Sequence, residues 1–185
     1  MTIRTFVALE IPNDALSKII DLRDNATTGL KNVRWEPKEK LHLTLKFLGD
    51  TKEELVNEYI SAIEETVSKF HPFELTFKEF GIFKKENTPK ILWTGLEENP
   101  QVVRLADELD ETFGNFGFER EKRRFKSHIT LLRFRGYEDQ KKILSLLGVN
   151  IPQINFISEK VIYFESRLLQ SGSVYRSIQS FNLKN

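Results

Sequence analysis

The sequence contains no cysteine among its 185 residues and only one methionine. The absence of cysteine excludes disulfide bonds, thiol nucleophiles and thiolate metal sites. Neither sign of charge predominates, because 28 lysines and arginines stand against 27 acidic residues. A protein that binds long DNA by bulk electrostatic attraction needs a strong basic excess, so this class is excluded as well.

Long hydrophobic runs are also missing. No apolar segment approaches the roughly 20 residues that a membrane-spanning helix requires, and the apolar stretch within Met1–Glu10 is too short for the core of a signal peptide. We therefore expect a cytoplasmic protein without a membrane partner. Hydrophobic residues make up 39% of the chain and charged residues 30%, which is typical of a folded globular protein. The length suits one domain or two small lobes that share an interface.

The predicted elements fall into two halves with the same order of strand, helix, strand, helix, strand. In the first half the predicted strands are Ile3–Glu10, Leu41–Leu48 and Phe73–Phe83. In the second half they are Lys90–Leu96, Phe125–Phe134 and Ile154–Ser166, followed by Val174–Leu183. The order repeats only twice, so we interpret it as an internal duplication with two related lobes rather than a solenoid. Lobe one comprises mainly residues 1–85 and lobe two mainly residues 90–185, with strand exchange at the termini allowed.

The middle strands of the two halves share a motif of histidine, aliphatic residue, threonine and leucine. Its two copies are His42, Leu43, Thr44 and Leu45, and His128, Ile129, Thr130 and Leu131. Because side chains alternate across a strand, each histidine shares a face with its threonine, and the aliphatic residues share the other. A lone His-x-Thr is usually a surface or satisfied core pair. Two copies in equivalent places, using two of the three histidines, favour a functional groove where the histidines meet.

Two histidines and two threonines suit in-line displacement at a phosphodiester. Imidazole titrates near pH 6.5, so one ring can act as general base while the other acts as general acid. Threonine hydroxyls can donate hydrogen bonds to oxygens that carry developing negative charge. A metal site is the rival interpretation, but neither motif has an adjacent carboxylate, and an HExxH pattern is absent. A serine nucleophile is disfavoured because Ser127 and His128 point to opposite faces of a strand.

The paired motifs resemble the HxTx signatures of the 2H phosphoesterase superfamily. Within it, the sequence is most similar to the bacterial and archaeal RNA 2′,3′-cyclic phosphodiesterases, historically called 2′-5′ RNA ligases. The resemblance extends over nearly the whole chain. The further segments that carry it are Arg4–Leu9, Val33–Trp35, Leu45–Gly49, Ile91–Trp93 and Gly172–Tyr175. One departure is Ser127, since the family usually has proline immediately before the second histidine.

This resemblance implies a single α+β domain over residues 1–185, with two pseudo-symmetric lobes of antiparallel-rich sheet and outer helices facing across a central groove. It implies that His42 donates a proton to the leaving 3′ oxygen and that His128 activates water. Thr44 and Thr130 would bind the non-bridging phosphate oxygens. The products would be a 2′-phosphate and a 3′-hydroxyl, and the reverse reaction would join RNA ends in a 2′-5′ linkage. The implied partners are RNA ends or short oligonucleotides with a 2′,3′-cyclic phosphate, without a cofactor, a metal or an obligate protein partner.

Two cations are further candidates for substrate binding. Arg133 lies five residues after the second histidine, where the family has an arginine, and a guanidinium suits a phosphate. Simple alternation places Arg133 on the opposite face from His128, so the strand must bulge or end near Leu131 for Arg133 to reach the groove. Lys46 shares a face with His42 under the same alternation, and we expect it at the rim of the groove.

Other interpretations remain open at this point. The enzyme could act on a small cyclic nucleotide or an ADP-ribose cyclic phosphate, or the groove could belong to a non-catalytic nucleotide- or RNA-binding module. The basic run Arg120–Lys126 is either a solvated loop or a surface that receives RNA phosphates. Among the 15 phenylalanines, a few such as Phe6 or Phe47 could stack on a base.

Overall fold

Eight strands and four α-helices make up the regular structure of residues 1–170 and 172–184, the part of the chain that this computed structural model describes. The strands are β1 (Thr2–Leu9), β2 (Leu43–Lys52), β3 (Phe73–Lys85), β4 (Thr88–Leu96), β5 (His128–Arg133), β6 (Asn155–Ser158), β7 (Lys160–Leu169) and β8 (Gly172–Asn182). The α-helices are α1 (Asn13–Ala26), α2 (Val56–Val67), α3 (Pro100–Asn115) and α4 (Gln140–Leu144). Short 3-10 helices span Lys38–Lys40, Glu53–Leu55 and Ser145–Gly148.

Hydrogen bonds join the strands in the order β6-β3-β4-β5-β2-β1-β7-β8. Neighbouring strands run antiparallel at every junction of the sheet. The two strands that carry the motifs, β2 and β5, are neighbours at its centre, where Leu43 pairs with Ile129. The predicted α+β class with an antiparallel-rich sheet is therefore confirmed.

The last strand of each half lies beside the strands of the other half. β3 pairs with β4 across the expected division between residues 85 and 90. β7 pairs with β1, an exchange of strands at the termini that the prediction allowed. β3 and β4 pair because residues 86 and 87 form a tight hairpin turn between them. Glu86 and Asn87 adopt φ values of 50° and 63° there, and two successive positive φ values are typical of the turn that folds one strand directly back on the next. The short β2-β5 pairing at the centre of the sheet thus joins the strands β6-β3-β4-β5 to the strands β2-β1-β7-β8.

The core lies on one side of the central strands. Leu43, Leu45, Ile129 and Leu131 are each at most 6% exposed and pack in the same hydrophobic cluster as residues of α1, α2 and α3. Burial of side chains of this size stabilises the fold by about 1.5–3 kcal/mol each. The aliphatic face of both motifs is thereby occupied, which leaves the histidine and threonine face free. None of the described helices is both long and apolar enough to cross a membrane.

Candidate active site

The four polar side chains of the two motifs lie on one face of the sheet centre. Leu43 pairs with Ile129 in antiparallel register. In this register the neighbouring residues also lie opposite each other, Thr44 across from His128 and His42 across from Thr130. All four side chains line a single cavity of about 220 Å³. The two histidines, which are 86 positions apart in the sequence (128 − 42), therefore face the same space.

A β-bulge in β5 brings Arg133 into this cavity. Across the step from Trp93 to Leu92 in β4, β5 advances by two residues instead of one, so Leu131 is an extra residue. A bulge of one residue reverses the alternation of side chains beyond it. Thr130 and Arg133 consequently share a face, and Arg133 lines the cavity. The sequence predicted this placement only on the condition that such a bulge occurred.

The first motif contains a bulge at the equivalent position, and it overturns the prediction for Lys46. Across the step from Ala8 to Val7 in β1, β2 also advances by two residues, which makes Leu45 the extra one. Phe47 rather than Lys46 therefore joins the histidine face and lines the cavity. In both motifs the fifth residue after histidine reaches the site, and the fourth residue points the other way.

Lys46 is a buried structural residue instead of a substrate contact. Its Nζ lies 2.5 Å from Asp110 Oδ1 on α3 and donates to the carbonyl oxygen of Glu119 at 2.8 Å. Burial raises the pKa of Asp110, but hydrogen bonds from Lys46, from the Glu121 amide and from Arg120 outweigh it and hold this pKa below its usual value. The prediction that Lys46 lies at the rim of the groove is wrong, and its role is to tie β2 to α3.

His42 lies among aromatic rings. Phe6 stacks on it with ring centroids 4.8 Å apart, and Tyr175 and Phe164 contact it at 5.4 Å and 5.8 Å. Burial lowers the pKa of His42 to about 4, a hydrogen bond with the Lys40 carbonyl opposes this, and the positive charge of Arg133 lowers it further. In the free protein at neutral pH, this ring is therefore uncharged.

His128 has a defined tautomer. Its Nδ1 lies 2.7 Å from the carbonyl oxygen of Lys126, and because a carbonyl can only accept, Nδ1 carries the proton and Nε2 offers its lone pair. Phe83 packs edge-on against the ring at 4.8 Å. Burial lowers the pKa of His128, the hydrogen bond to the Lys126 carbonyl raises it, and the charges of Lys126 and Arg133 lower it. A neutral imidazole with a free Nε2 is the form that a general base requires.

Each histidine thus bonds to the carbonyl two residues before it, Lys40 in one copy and Lys126 in the other. This feature was not predicted, although the sequence contains a signal for it. The duplicated segment reads lysine, any residue, histidine in both copies. The duplication therefore includes the groups that fix the ring tautomers as well as the rings.

The cavity carries a positive excess that sequence analysis found only in part. Besides Arg133, its lining includes Arg4 and Lys40, with Glu36 as the one acidic side chain among the described lining residues. Glu36 Oε1 lies 3.7 Å from Arg133 Nε. Tyr175 also lines the cavity, and burial raises its pKa above the usual value although the charge of Arg133 opposes this, so its hydroxyl is protonated at neutral pH. An excess of cations around a small polar cavity suits an anionic ligand such as a phosphate.

Much of the basic run Arg120–Lys126 is compensated by acidic neighbours. The ion pairs join Arg120 to Asp110, Lys122 to Glu119 and Arg124 to Glu98. These ion pairs reduce the positive charge that the run could offer to RNA phosphates. Residues 1–170 and 172–184 contain no group of three or more His, Cys, Asp or Glu side chains placed to share a metal ion.

Comparison with known proteins agrees with the geometry of the site. The family model described as LigT like Phosphoesterase matches residues 9–93 and 95–175. This chain belongs to that family. The membership confirms the resemblance that the paired histidine motifs indicated, and the two matched segments include both histidine motifs and all the described cavity-lining residues except Arg4 and Phe6.

Individual relatives cover most of the chain. An RNA 2′,3′-cyclic phosphodiesterase of Thermotoga maritima is 28% identical over 173 residues, 94% of this chain and 91% of that protein. Another protein of the same name, from Archaeoglobus fulgidus, is 33% identical over 132 residues, 70% of this chain and 72% of the relative. The crystal structure of TT0787 of Thermus thermophilus has a TM-score of 0.82 at 23% identity, with 98% of each chain covered. The fold is therefore shared with TT0787 along nearly the whole chain.

Proposed function

We propose that this protein hydrolyses the 2′,3′-cyclic phosphate ends of RNA to a 2′-phosphomonoester and a 3′-hydroxyl. The observation that carries the proposal is the meeting of His42, Thr44, His128 and Thr130 in one cavity beside Arg133. The name shared by the relatives from Thermotoga maritima and Archaeoglobus fulgidus, RNA 2′,3′-cyclic phosphodiesterase, supports this substrate. Its partners are accordingly RNA ends or short oligonucleotides.

The proposed reaction is an in-line displacement at phosphorus. Arg133 neutralises the cyclic phosphate, and the hydroxyls of Thr44 and Thr130 donate hydrogen bonds to its non-bridging oxygens. Nε2 of His128 takes a proton from water as the water oxygen bonds to phosphorus. The bond from phosphorus to the 3′ oxygen breaks, and His42 gives that oxygen a proton. One proton enters at His128 and one leaves at His42, so proton transfer through solvent restores both rings.

The low pKa of His42 has a consequence for substrate binding. A proton donor must be charged, but in the free protein burial keeps this ring neutral above about pH 4. A phosphodiester anion placed beside the ring favours its charged form and raises its pKa. The substrate therefore recruits the proton that it later receives on its leaving oxygen. A 5′-hydroxyl that takes the place of water at the same step would give 2′-5′ joining, with His128 again as base and His42 again as acid. In the reverse of that joining, the 3′-hydroxyl attacks phosphorus, the 5′ oxygen leaves and the two histidines exchange duties.

The direct test uses an oligonucleotide that ends in a 2′,3′-cyclic phosphate, incubated with the protein and EDTA. We expect a phosphatase-sensitive 2′-phosphate, identified by mass. His42→Ala and His128→Ala should each reduce kcat by about 10²–10⁴-fold, the range of a lost acid–base group. His71→Ala is the matched control, because this exposed histidine lies outside the cavity lining and bonds to the Lys184 carbonyl.

Three results would count against the proposal. Turnover that survives loss of either cavity histidine would contradict the two-histidine chemistry. Turnover that EDTA abolishes would contradict a metal-independent reaction. Nucleotide affinity without any turnover would favour a binding module.

A second candidate is a phosphodiesterase for a small cyclic nucleotide or an ADP-ribose cyclic phosphate. The observation in its favour is the cavity volume of about 220 Å³, which is below the usual range of about 300–1,000 Å³ for ligand pockets and accommodates little more than a terminal nucleotide. Comparing oligonucleotides with mononucleotides from low to high salt separates the two. Only a substrate with several phosphates on the protein surface loses affinity steeply with salt.

A further inference from the structure

Lys126 contacts the surroundings of His128 at two points. Its carbonyl oxygen accepts the hydrogen bond from His128 Nδ1 at 2.7 Å, and its Nζ lies 4.0 Å from the ring centroid of Trp93. Trp93 in turn packs edge-on against His128, with centroids 6.3 Å apart. The lysine is therefore held at its backbone by the histidine and at its ammonium by the indole that borders the same histidine.

The indole of Trp93 is a fixed platform. It is 3% exposed, and two glycines make room for it on the sheet. A Cβ atom at Gly81 would lie 2.1 Å from the indole, and one at Gly95 would lie 2.9 Å from it, distances that real side chains do not tolerate. Because the ring is confined in this way, a cation on its face is held in a defined place.

The contact between the Lys126 ammonium and the Trp93 indole matters because the backbone around the Lys126 carbonyl is less regular than that around the Lys40 carbonyl in the first motif. Lys40, the equivalent residue, is the last residue of the 3-10 helix Lys38–Lys40, and hydrogen bonds from its own amide to the Pro37 carbonyl and from the Leu41 amide to the Lys38 carbonyl fix its backbone on both sides. Lys126 is the second-last residue of the segment 116–127, in which the described backbone forms neither helix nor strand. Its side chain is also absent from the described lining of the cavity, whereas that of Lys40 is present. The two lysines therefore occupy equivalent positions in the sequence with different roles.

We propose that Lys126 is a positioning residue for His128, and that its ammonium on the Trp93 indole keeps in place the carbonyl that fixes the Nδ1–H tautomer. The inference rests on the proposed function, because it concerns the ring assigned as general base. The charged or titratable groups that face His128 are Lys126 and Arg133, together with His42 across the cavity. The neighbouring Phe83 and Trp93 side chains add no charge.

The test compares Lys126→Met, Lys126→Arg and Arg123→Met by steady-state kinetics on the cyclic-phosphate oligonucleotide. A misplaced base lowers kcat, and we expect Lys126→Met to reduce it roughly tenfold with little change in KM. Arginine also binds indole faces, so Lys126→Arg should retain most of the activity. Arg123→Met removes an exposed cation from the same segment, so it controls for general attraction of RNA and should leave kcat unchanged.

A second readout does not depend on turnover. Nitrogen-15 NMR of the His128 ring reports both its tautomer and its titration midpoint. In Lys126→Met we expect some Nε2–H tautomer, because the carbonyl that holds the Nδ1 proton is displaced. A higher midpoint with an unchanged tautomer would show only that a cation has been removed and would overturn the proposal. An unchanged spectrum with unchanged kcat would overturn the proposal, as would a loss confined to KM, which would indicate a phosphate contact. If the wild-type protein lacks turnover, the proposed function fails, while the NMR result still decides the role of Lys126.

Discussion

His42 and His128 have the same residue type and the same kind of carbonyl partner, but their neighbours differ. His42 is enclosed by Phe6, Phe164 and Tyr175, while His128 meets Phe83 and Trp93 at their edges. Burial is the largest influence on both rings and lowers both pKa values. Both rings are therefore neutral in the free protein at neutral pH. In the proposed reaction, the general acid is the ring that takes up a proton from solvent after the phosphate anion binds. The assignment of His42 as this acid leads to a chemical test.

A substrate with sulfur in place of the 3′ bridging oxygen separates acid from base. A thiolate leaves without protonation because its pKa is far below that of an alcohol, so general acid catalysis becomes dispensable. We expect His42→Ala to regain most of its lost kcat on the 3′-thio cyclic phosphate and His128→Ala to remain inactive. The opposite pattern would exchange the roles of the two histidines.

Arg133 is the second residue whose chemistry can be tested on its own. Its guanidinium can bind a phosphate through two parallel hydrogen bonds, which an ammonium cannot reproduce. Arg133→Lys should therefore raise KM roughly tenfold, in line with the loss of one charge-assisted hydrogen bond. Arg135→Lys is the matched control, because Arg135 is exposed and lies outside the described lining of the cavity. Equal KM values for the two variants would show that Arg133 does not bind the substrate.

At the scale of the element, the bulges explain where sequence reasoning succeeded and where it failed. Alternation placed His42, Thr44, His128 and Thr130 correctly on one face because these residues precede the bulges. Beyond a bulge the same rule gives the wrong face, and this is why Lys46 was misassigned. Two of the residues involved, Leu45 and Leu131, are leucines that would fit a regular strand equally well. The register shift comes from pairing with β1 and β4, which no local pattern contains.

The junction of β3 and β4 yields a prediction of its own. Gly81→Ala places a methyl group where the Trp93 indole lies, so the ring must move, and overpacking of this kind costs about 1–3 kcal/mol of unfolding free energy. Because Trp93 borders His128, kcat should fall as well. Urea unfolding and steady-state kinetics measure the two effects. Gly148→Ala is the control, since nothing lies within 4 Å of a Cβ built there. A Gly81→Ala protein with wild-type stability and kcat would show that Trp93 has room to move.

For the whole molecule, the repeated order of elements was enough to predict two lobes facing a groove. It was not enough to predict which strands belong to which lobe. β7 lies beside β1, about 150 residues earlier in the sequence, and such long-range pairing depends on how the two halves close together rather than on local preference. The two central strands meet at Leu43 and Ile129, so the cavity forms only when both halves are in place.

The acid sensitivity of the fold follows from the same enclosure of His42. An unfolded histidine titrates near 6.5, whereas the folded ring has a pKa of about 4. Between these values the unfolded chain binds the proton and the folded protein does not, so stability falls as the pH drops from 6.5 to 4. A difference of this size corresponds to about 3 kcal/mol. His128, whose pKa is also lowered, contributes with the same sign.

Urea unfolding at pH 7, 6, 5 and 4 measures this dependence. His42→Gln removes the titrating ring, so its unfolding free energy should decline by about 3 kcal/mol less than that of the wild-type protein over this range. His71→Gln changes an exposed histidine instead and should follow the wild-type curve. The carboxyl groups of Asp110 and Glu138, whose pKa values are lowered despite burial, act mainly at the acidic end of this range. Parallel curves for His42→Gln and the wild-type protein would mean that water reaches the ring and that its pKa lies near the ordinary value of about 6.5, so a fraction of the proton donor would already be charged near neutral pH before the substrate arrives.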